Sequence, residues 1–488
     1  MSLLVHLTYL APLLAGIGIL LGLPARRTAI GASIVALISA VIVFVSYDRA
    51  AGGYQFIGTL FEVAGAPVRL AVGVDGLNAT MLLLTSIVAV AATWIAPEVE
   101  DGKNRYYACV LFIAAGAAGA FASIDLFFFY AFHELALIPT FLMIGIWGTG
   151  NRQSAAWKIT IYLSVGSIIL LVGLIGLYLM PPADQRTFDM VKIQQMASSG
   201  VFNGPGSNGI YLLLLIGFGI LVSLFPFHTW APQAYASAPV PVAMLHAGVL
   251  KKFGLYGLLR IALPLMPQAA DHWTWLLLLL LVGNILYVGL ATISQRQLDL
   301  TLGYSSVMHM GYIFLGIASY NVIGINGAAL LMLAHGLSIA ALFAMSGELR
   351  KQTGTLDYKD LGGLANSMPT LCFLFGLATF ASIGLPGFAN FASELLVFFG
   401  AFHRAGATSF RVATVIALWG VIISTVYMLR AYRAIFMGER QARWQSVRDL
   451  PVAAGWAIIL LLAALLLVGF APRLILDAIE PAVRLFAK

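Results

Sequence analysis

The chain has 488 residues, 61% of them hydrophobic and only 10% charged, less than half the charged share of an ordinary soluble protein. That balance excludes a water-soluble enzyme. The net charge of +7 does not point to nucleic acid either, because the 27 Lys and Arg lie mostly in short connections between apolar runs, where they set membrane topology.

An apolar run of about 18 residues or more crosses a hydrocarbon core of about 30 Å as a helix. Hydropathy and helix breakers predict about fourteen such spans. In order they cover 3–23, 29–47, 77–97, 106–124, 125–148, 156–180, 209–230, 239–262, 272–293, 300–319, 324–347, 368–402 (broken), 409–434 and 452–474. The first has no basic segment before it and Arg26-Arg27 after it, so it reads as a retained helix and not a cleaved signal. Only 48–76 and 181–208 are long enough to be more than turns; no soluble domain and no strand is expected. The tail from Pro472 interleaves Arg473, Asp477, Glu480 and Arg484 with Leu474, Ile475, Ile479 and Leu485, the pattern of an amphipathic surface helix. Odd-numbered connections hold more Lys and Arg than even ones, which places them in the cytoplasm and both termini outside. Cys109 and Cys372 sit in apolar stretches without C-x-x-C spacing, so no disulfide, metal site or iron–sulfur cluster is expected.

Two spans carry a breaker at membrane depth: Ser223-Leu224-Phe225-Pro226-Phe227 and Ser382-Ile383-Gly384-Leu385-Pro386-Gly387-Phe388. Backbone groups freed there must be satisfied by protein or by water in a cavity. Their recurrence suggests two related halves with an ion path between, as in many transporters; a pair of ordinary proline kinks is the alternative.

Four charges lie where a bilayer tolerates them poorly: Glu134, Lys251, Lys252 and Glu394, each in the middle of an apolar run. At about 2.5 to 3.5 kcal/mol apiece, they imply partners or a hydrated interior path. Lys251 and Lys252 point about 100° apart and serve different neighbours. A buried lysine near a carboxylate gains or loses its proton as that carboxylate's charge changes, which is enough for electrostatically driven proton transfer; a static interhelical bridge is the plainer reading. His228 follows the Pro226 break, His246 precedes Lys252, and His309 and His335 fall on successive spans. Imidazoles suit a proton relay, while axial haem ligation is the other use of such histidines. No glycine-rich dinucleotide motif follows a strand.

The sequence resembles the antiporter-like membrane subunits of respiratory complex I, most closely those of the subunit M type. The resemblance rests on Val74-Asp75-Gly76-Leu77, Glu134-x4-Pro139, Ile144-Gly145-Ile146-Trp147-Gly148, and Phe225-Pro226-Phe227-His228-Thr229-Trp230-Ala231-Pro232. It continues through Tyr256-Gly257-Leu258-Leu259-Arg260, Tyr304-Ser305-Ser306-Val307-Met308-His309-Met310-Gly311, Ala334-His335-Gly336 and Leu385-Pro386-Gly387-Phe388-Ala389-Asn390-Phe391-x2-Glu394. These segments span most of the chain in order.

The resemblance implies an all-α polytopic membrane protein of about fourteen helices, with two inverted five-helix repeats and two broken helices. The divisions would be helices 1–3 (1–105), two half-channel repeats (106–271 and 272–435), and the last helix with the tail (436–488). Glu134 matches the family's helix-five glutamate, Lys252 its helix-eight lysine, His309 and His335 its histidines, and Glu394 its terminal acidic group. The helix-seven lysine that should pair with Glu134 is replaced by Leu221, and the usual Asp-x-Lys after span nine reads Asp299-Leu300-Thr301. The neighbouring Lys251 is the expected substitute partner for Glu134, leaving Lys252 to serve His309, His335 and Glu394.

The resulting expectation is a proton-translocating subunit of an NADH:quinone oxidoreductase in a bacterial inner membrane, multi-pass, beside sister antiporter-like subunits. Flavin and iron–sulfur clusters would reside in partner subunits, and this chain would hold no cofactor of its own. A subunit of an Mrp-like cation/proton antiporter and a non-pumping spacer are the alternatives.

Overall fold

The computed structural model describes residues 1–63, 67–97, 99–404, 408–439 and 441–487. In a bilayer only a helix satisfies every backbone group within one segment, so each apolar run folds as one. The first half holds α1 (Ser2–Leu20), α2 (Ala25–Ser46), α3 (Gly76–Ile95), α4 (Lys103–Ala122), α5 (Leu126–Trp147) and α6 (Arg152–Leu179), then the short α7 (Met190–Ala197), α8 (Ser207–Val222), α9 (Trp230–Ser237) and α10 (Val240–Leu265). The second holds α11 (Pro267–Ile293), α12 (Leu298–Ser319), α13 (Val322–Thr353), α14 (Pro369–Ser382), α15 (Ala389–Phe402), α16 (Thr408–Phe436), α17 (Val452–Phe470) and α18 (Arg473–Arg484). Twelve described helices are long and apolar enough to cross alone. The pairs α8/α9 and α14/α15 are the two predicted broken spans, completing fourteen crossings.

Five crossings per unit is an odd number, so a second copy following the first in the chain must be inverted. The two units run α4 to α10 and α11 to α16, with the break in the fourth crossing of each. A smaller mark repeats with them. The residue before α5 bridges the connection after α6 (Asp125 with Asp189), and the residue before α12 bridges the connection after α13 (Gln297 with Asp357).

The structure corrects the sequence reading at two places. The connection between α2 and α3 holds an antiparallel pair, β1 (Gln55–Glu62) and β2 (Arg69–Val74), where no strand was expected. Leu70, Val72 and Val74 are buried and Phe61 stacks edge-on against Phe128 of α5, so the pair packs on the helices and is not a free hairpin. The tail helix α18 does not rest its apolar face on lipid. Ile475, Ala478, Ile479 and Val483 are buried, and the helix packs on α3 and α13.

Helix ends fix the crossings in register. Asp75 accepts from the Leu77 and Asn78 amides, both at 3.1 Å, and Asn78 returns a bond to the Asp75 amide at 2.8 Å, a capping box that starts α3. Asp125 caps α5 through Phe127 and Phe128. Two glycines bring the central helices together: a Cβ on Gly336 would lie 2.6 Å from the Gly248 carbonyl oxygen, and one on Gly248 would lie 3.0 Å from that of Gly336. Without side chains there, α10 and α13 touch backbone to backbone.

Candidate functional site

That close approach brings together the residues that matter most. Four residues past Gly248, Lys252 is fully buried; its Nζ donates to the Ala247 carbonyl at 2.6 Å and lies 3.0 Å from His335 Nδ1 on α13. The His335 ring is 5.5 Å from the His309 ring of α12. His309 in turn faces the Ser305 carbonyl with Nδ1 at 2.8 Å and the Ser382 carbonyl with Nε2 at 3.0 Å. Ser382 is the last residue of α14, so this line of contacts ends on a carbonyl freed by the second break. The expected residues Lys252, His335 and His309 therefore form one cluster, in that spatial order rather than in sequence order.

Glu394 lies on the other side of the same break. It is buried, its Oε1 has no hydrogen-bond partner among the described residues, and its Oε2 would lie 2.6 Å from a Cβ on Gly384. Gly384 has φ +74°, a backbone conformation that favours glycine. No hydrogen bond joins Glu394 to either histidine among the described residues; Ser382 to Gly384 lies between.

Lys251 is where the sequence reading fails. Its Nζ donates to Ser306 of α12 at 3.3 Å and lies 5.3 Å from the centre of the Tyr235 ring of α9. No ion pair joins it to Glu134 among the described residues, so it does not replace the missing lysine. A widened π-type turn over His246–Leu250 precedes it and alters the direction in which both lysines leave the helix.

Glu134 faces α6 instead. It accepts a hydrogen bond from Ser167, whose Oγ is also 3.0 Å from the Tyr130 hydroxyl, and His133 Nδ1 approaches its Oε1 at 3.5 Å. Its side chain is 38% exposed to a crevice of about 150 Å³ between α5 and α6, lined by Leu137, Ile138, Thr160, Leu163 and Ser164. Leu221 packs on Gly166, beside Ser167. His228 is set apart in the first break, stacked on Phe225 and edge-on to Tyr287 of α11, its Nδ1 unpartnered within the chain.

Sequence reasoning passed over several of these groups. His133 was legible as the residue before Glu134. The buried ion pair of Arg260 with Asp75, which ties the end of α10 to the start of α3, lay in two of the quoted motifs without a role. Arg350 of α13 supplies the cation that Asp299 lacks in its own motif. Asn284 of α11 accepts from the Phe225 amide at 2.7 Å and donates to the Ser223 and Val307 carbonyls at 3.1 and 3.0 Å, closing the first break; nothing in sequence distinguished it. Cys109 and Cys372 are buried free thiols, and Cys372 Sγ lies 3.2 Å from the Tyr432 hydroxyl.

Known proteins bear on this arrangement. The family described as NADH:quinone oxidoreductase/Mrp antiporter, transmembrane, matches residues 123–424. NADH-quinone oxidoreductase subunit M of Rickettsia prowazekii is 32% identical over 98% of each chain. NAD(P)H-quinone oxidoreductase chain 4 2 of Thermosynechococcus vestitus is 36% identical over 89% of this chain and 81% of its own. In respiratory complex I from Thermus thermophilus, one chain superposes with a TM-score of 0.88 at 28% identity, over 99% of this chain and all of that one. A chain of the Mrp complex from Dietzia sp. DQ12-45-1b shares the fold, with a TM-score of 0.86 at 22% identity over 100% of this chain and 98% of its own. With its matched region running from the start of α5 into α16, more than half of the sequence, the chain belongs to the NADH:quinone oxidoreductase/Mrp antiporter transmembrane family.

Proposed function

We propose that this chain is a proton-translocating membrane subunit of an NADH:quinone oxidoreductase, of the subunit M type, in the inner membrane of a bacterial cell. The observation that carries the reading is the buried line from Lys252 through His335 to His309. When Lys252 holds the proton it donates to His335 Nδ1; when it has given the proton up, the same 3.0 Å contact runs the other way. A neutral imidazole has one N–H, so His309 bonds both of its carbonyls only while doubly protonated. Losing a proton frees one carbonyl, which ties the proton's position to the second break. Glu394, buried beyond that break with an unpartnered oxygen, is the acceptor at the far end.

Electron transfer belongs to partner subunits, which carry the flavin and iron–sulfur clusters, and reaches this chain as a change in the balance of buried charge. Sister antiporter-like subunits flank it. The Mrp reading has the fold in its favour.

The test is proton uptake against electron transfer in sealed vesicles holding the assembled complex. Lys252→Ala is expected to lower protons per electron while electron transfer continues. An unchanged ratio overturns the reading, and so does uptake by the chain alone that follows sodium and not electron transfer.

A further inference from the structure

We infer that His133 is the proton-exchanging partner of Glu134, and that Ser167 and Tyr130 hold the carboxylate in place for it. This rests on the reading above and names a residue that reading does not use.

Three observations converge on it. Among the described residues His133 is the only cation-forming side chain within 4 Å of the Glu134 carboxylate. The alternatives are committed elsewhere: Lys251 to Ser306 and Tyr235, and position 221, which faces α6 beside Ser167, to leucine. And His133 is buried, and among the described residues its Nδ1 has no partner besides Glu134, 3.5 Å away. Adjacent helical residues normally diverge, but Nδ1 lies close to the imidazole's own Cβ, so it reaches the next carboxylate where Nε2 cannot.

The ring's other face points the same way. It stacks on Phe253 at 4.0 Å between centroids and 18° between planes, and Phe253 directly follows Lys252. His133 thus packs between Glu134 of its own helix and Phe253 of α10. His246, whose Nδ1 meets the Tyr235 hydroxyl at 3.3 Å, lies within electrostatic reach of His133 and of both lysines. The titratable groups facing the His133–Glu134 pair are Tyr130 on its own helix and His246 on α10, with Lys251 and Lys252 beyond His246. In the step itself, a protonated Glu134 gives its proton to Nδ1 of the neutral ring, whose hydrogen sits on Nε2. Carboxylate and imidazolium result, no electron moves, and the reverse transfer resets the pair.

The experiment compares His133→Phe, His133→Asn and Lys252→Ala in the assembled complex, in vesicles, by protons per electron. His133→Phe keeps the stack on Phe253 and removes both nitrogens. His133→Asn keeps a hydrogen-bonding atom near the place of Nδ1 but cannot take up a proton. Both His133 variants are expected to fall to the Lys252→Ala ratio while electron transfer continues. A wild-type ratio in His133→Phe overturns the inference; a wild-type ratio in His133→Asn does so too, by assigning His133 a purely structural bond. If His133→Phe does not assemble, His133→Asn decides alone. Should Lys252→Ala lose pumping while the His133 variants keep it, only this inference falls; should Lys252→Ala keep it, the underlying reading falls.

Discussion

The two breaks sit at equivalent places in the two five-helix units and are closed by different chemistry. In the first, the amide of Asn284 takes the Phe225 N–H and gives its own hydrogens to Ser223 and Val307. An amide does not titrate, so that closure is the same whatever protons are nearby. In the second, the freed Ser382 carbonyl is held by a histidine, the carboxylate of Glu394 is tucked against Gly384, and both side-chain polar atoms of Asn390 are unpartnered among the described residues. The Asn284 closure of the first break is a fixed joint, with His228 beside it, whereas the bond that holds the second break at Ser382 depends on protonation. The lysines fit this division: Lys251 and Lys252 belong to the first unit by sequence, yet their contacts at Ser306 and His335 are in the second.

The sharpest way to break the comparison is at Glu394. Glu394→Gln keeps the shape that fills the space against Gly384 and removes the proton site. The expected outcome in vesicles is the same loss of protons per electron as Lys252→Ala, with the complex assembled; a normal ratio would make the second break as inert as the first. Asn284→Leu should act the opposite way. It leaves one N–H and two carbonyls of the first break without their partner, at about 1 to 3 kcal/mol for each buried group left unsatisfied. The complex should inactivate at lower temperature, while what assembles pumps normally per electron. A pumping defect without loss of thermal stability would move Asn284 from scaffold to proton path.

The sequence made the crossings, both breaks and the buried charges legible for one reason: each is a violation or a satisfaction of bilayer solvation, readable residue by residue. Pairing is a matter of direction, and direction was lost wherever the helix departs from a regular 3.6-residue turn. Lys251 was assigned to Glu134 on a regular helix, whereas the π-type turn over His246–Leu250 precedes a Lys251 that contacts α12. Ser167 and Asn284 went unseen because a lone serine or asparagine in an apolar span carries no charge to explain, and only its neighbours make it a partner. The β1/β2 pair was missed because its strands are short and lie between two helices that dominate the hydropathy.

The smallest effect contrasts the two units at their equivalent helix starts, outside the apolar core. Asp125 caps α5 with a carboxylate, while Gln297 stands before α12 with no side-chain cap. Burial pushes the Asp125 carboxyl up to about 6, against the opposing pull of the Phe128, Arg69 and Phe127 amides. The folded chain therefore holds a proton that the unfolded chain releases at its ordinary aspartate value. The stabilisation linked to that proton is complete below the ordinary value and is lost as pH rises through about 6. Thermal unfolding of the purified complex across that window should show a decline in stability that Asp125→Asn flattens, because the amide oxygen still caps the helix and no longer titrates. Gln297→Ala should leave the slope untouched. A slope that survives Asp125→Asn would place the titrating group elsewhere and remove this distinction between the two units.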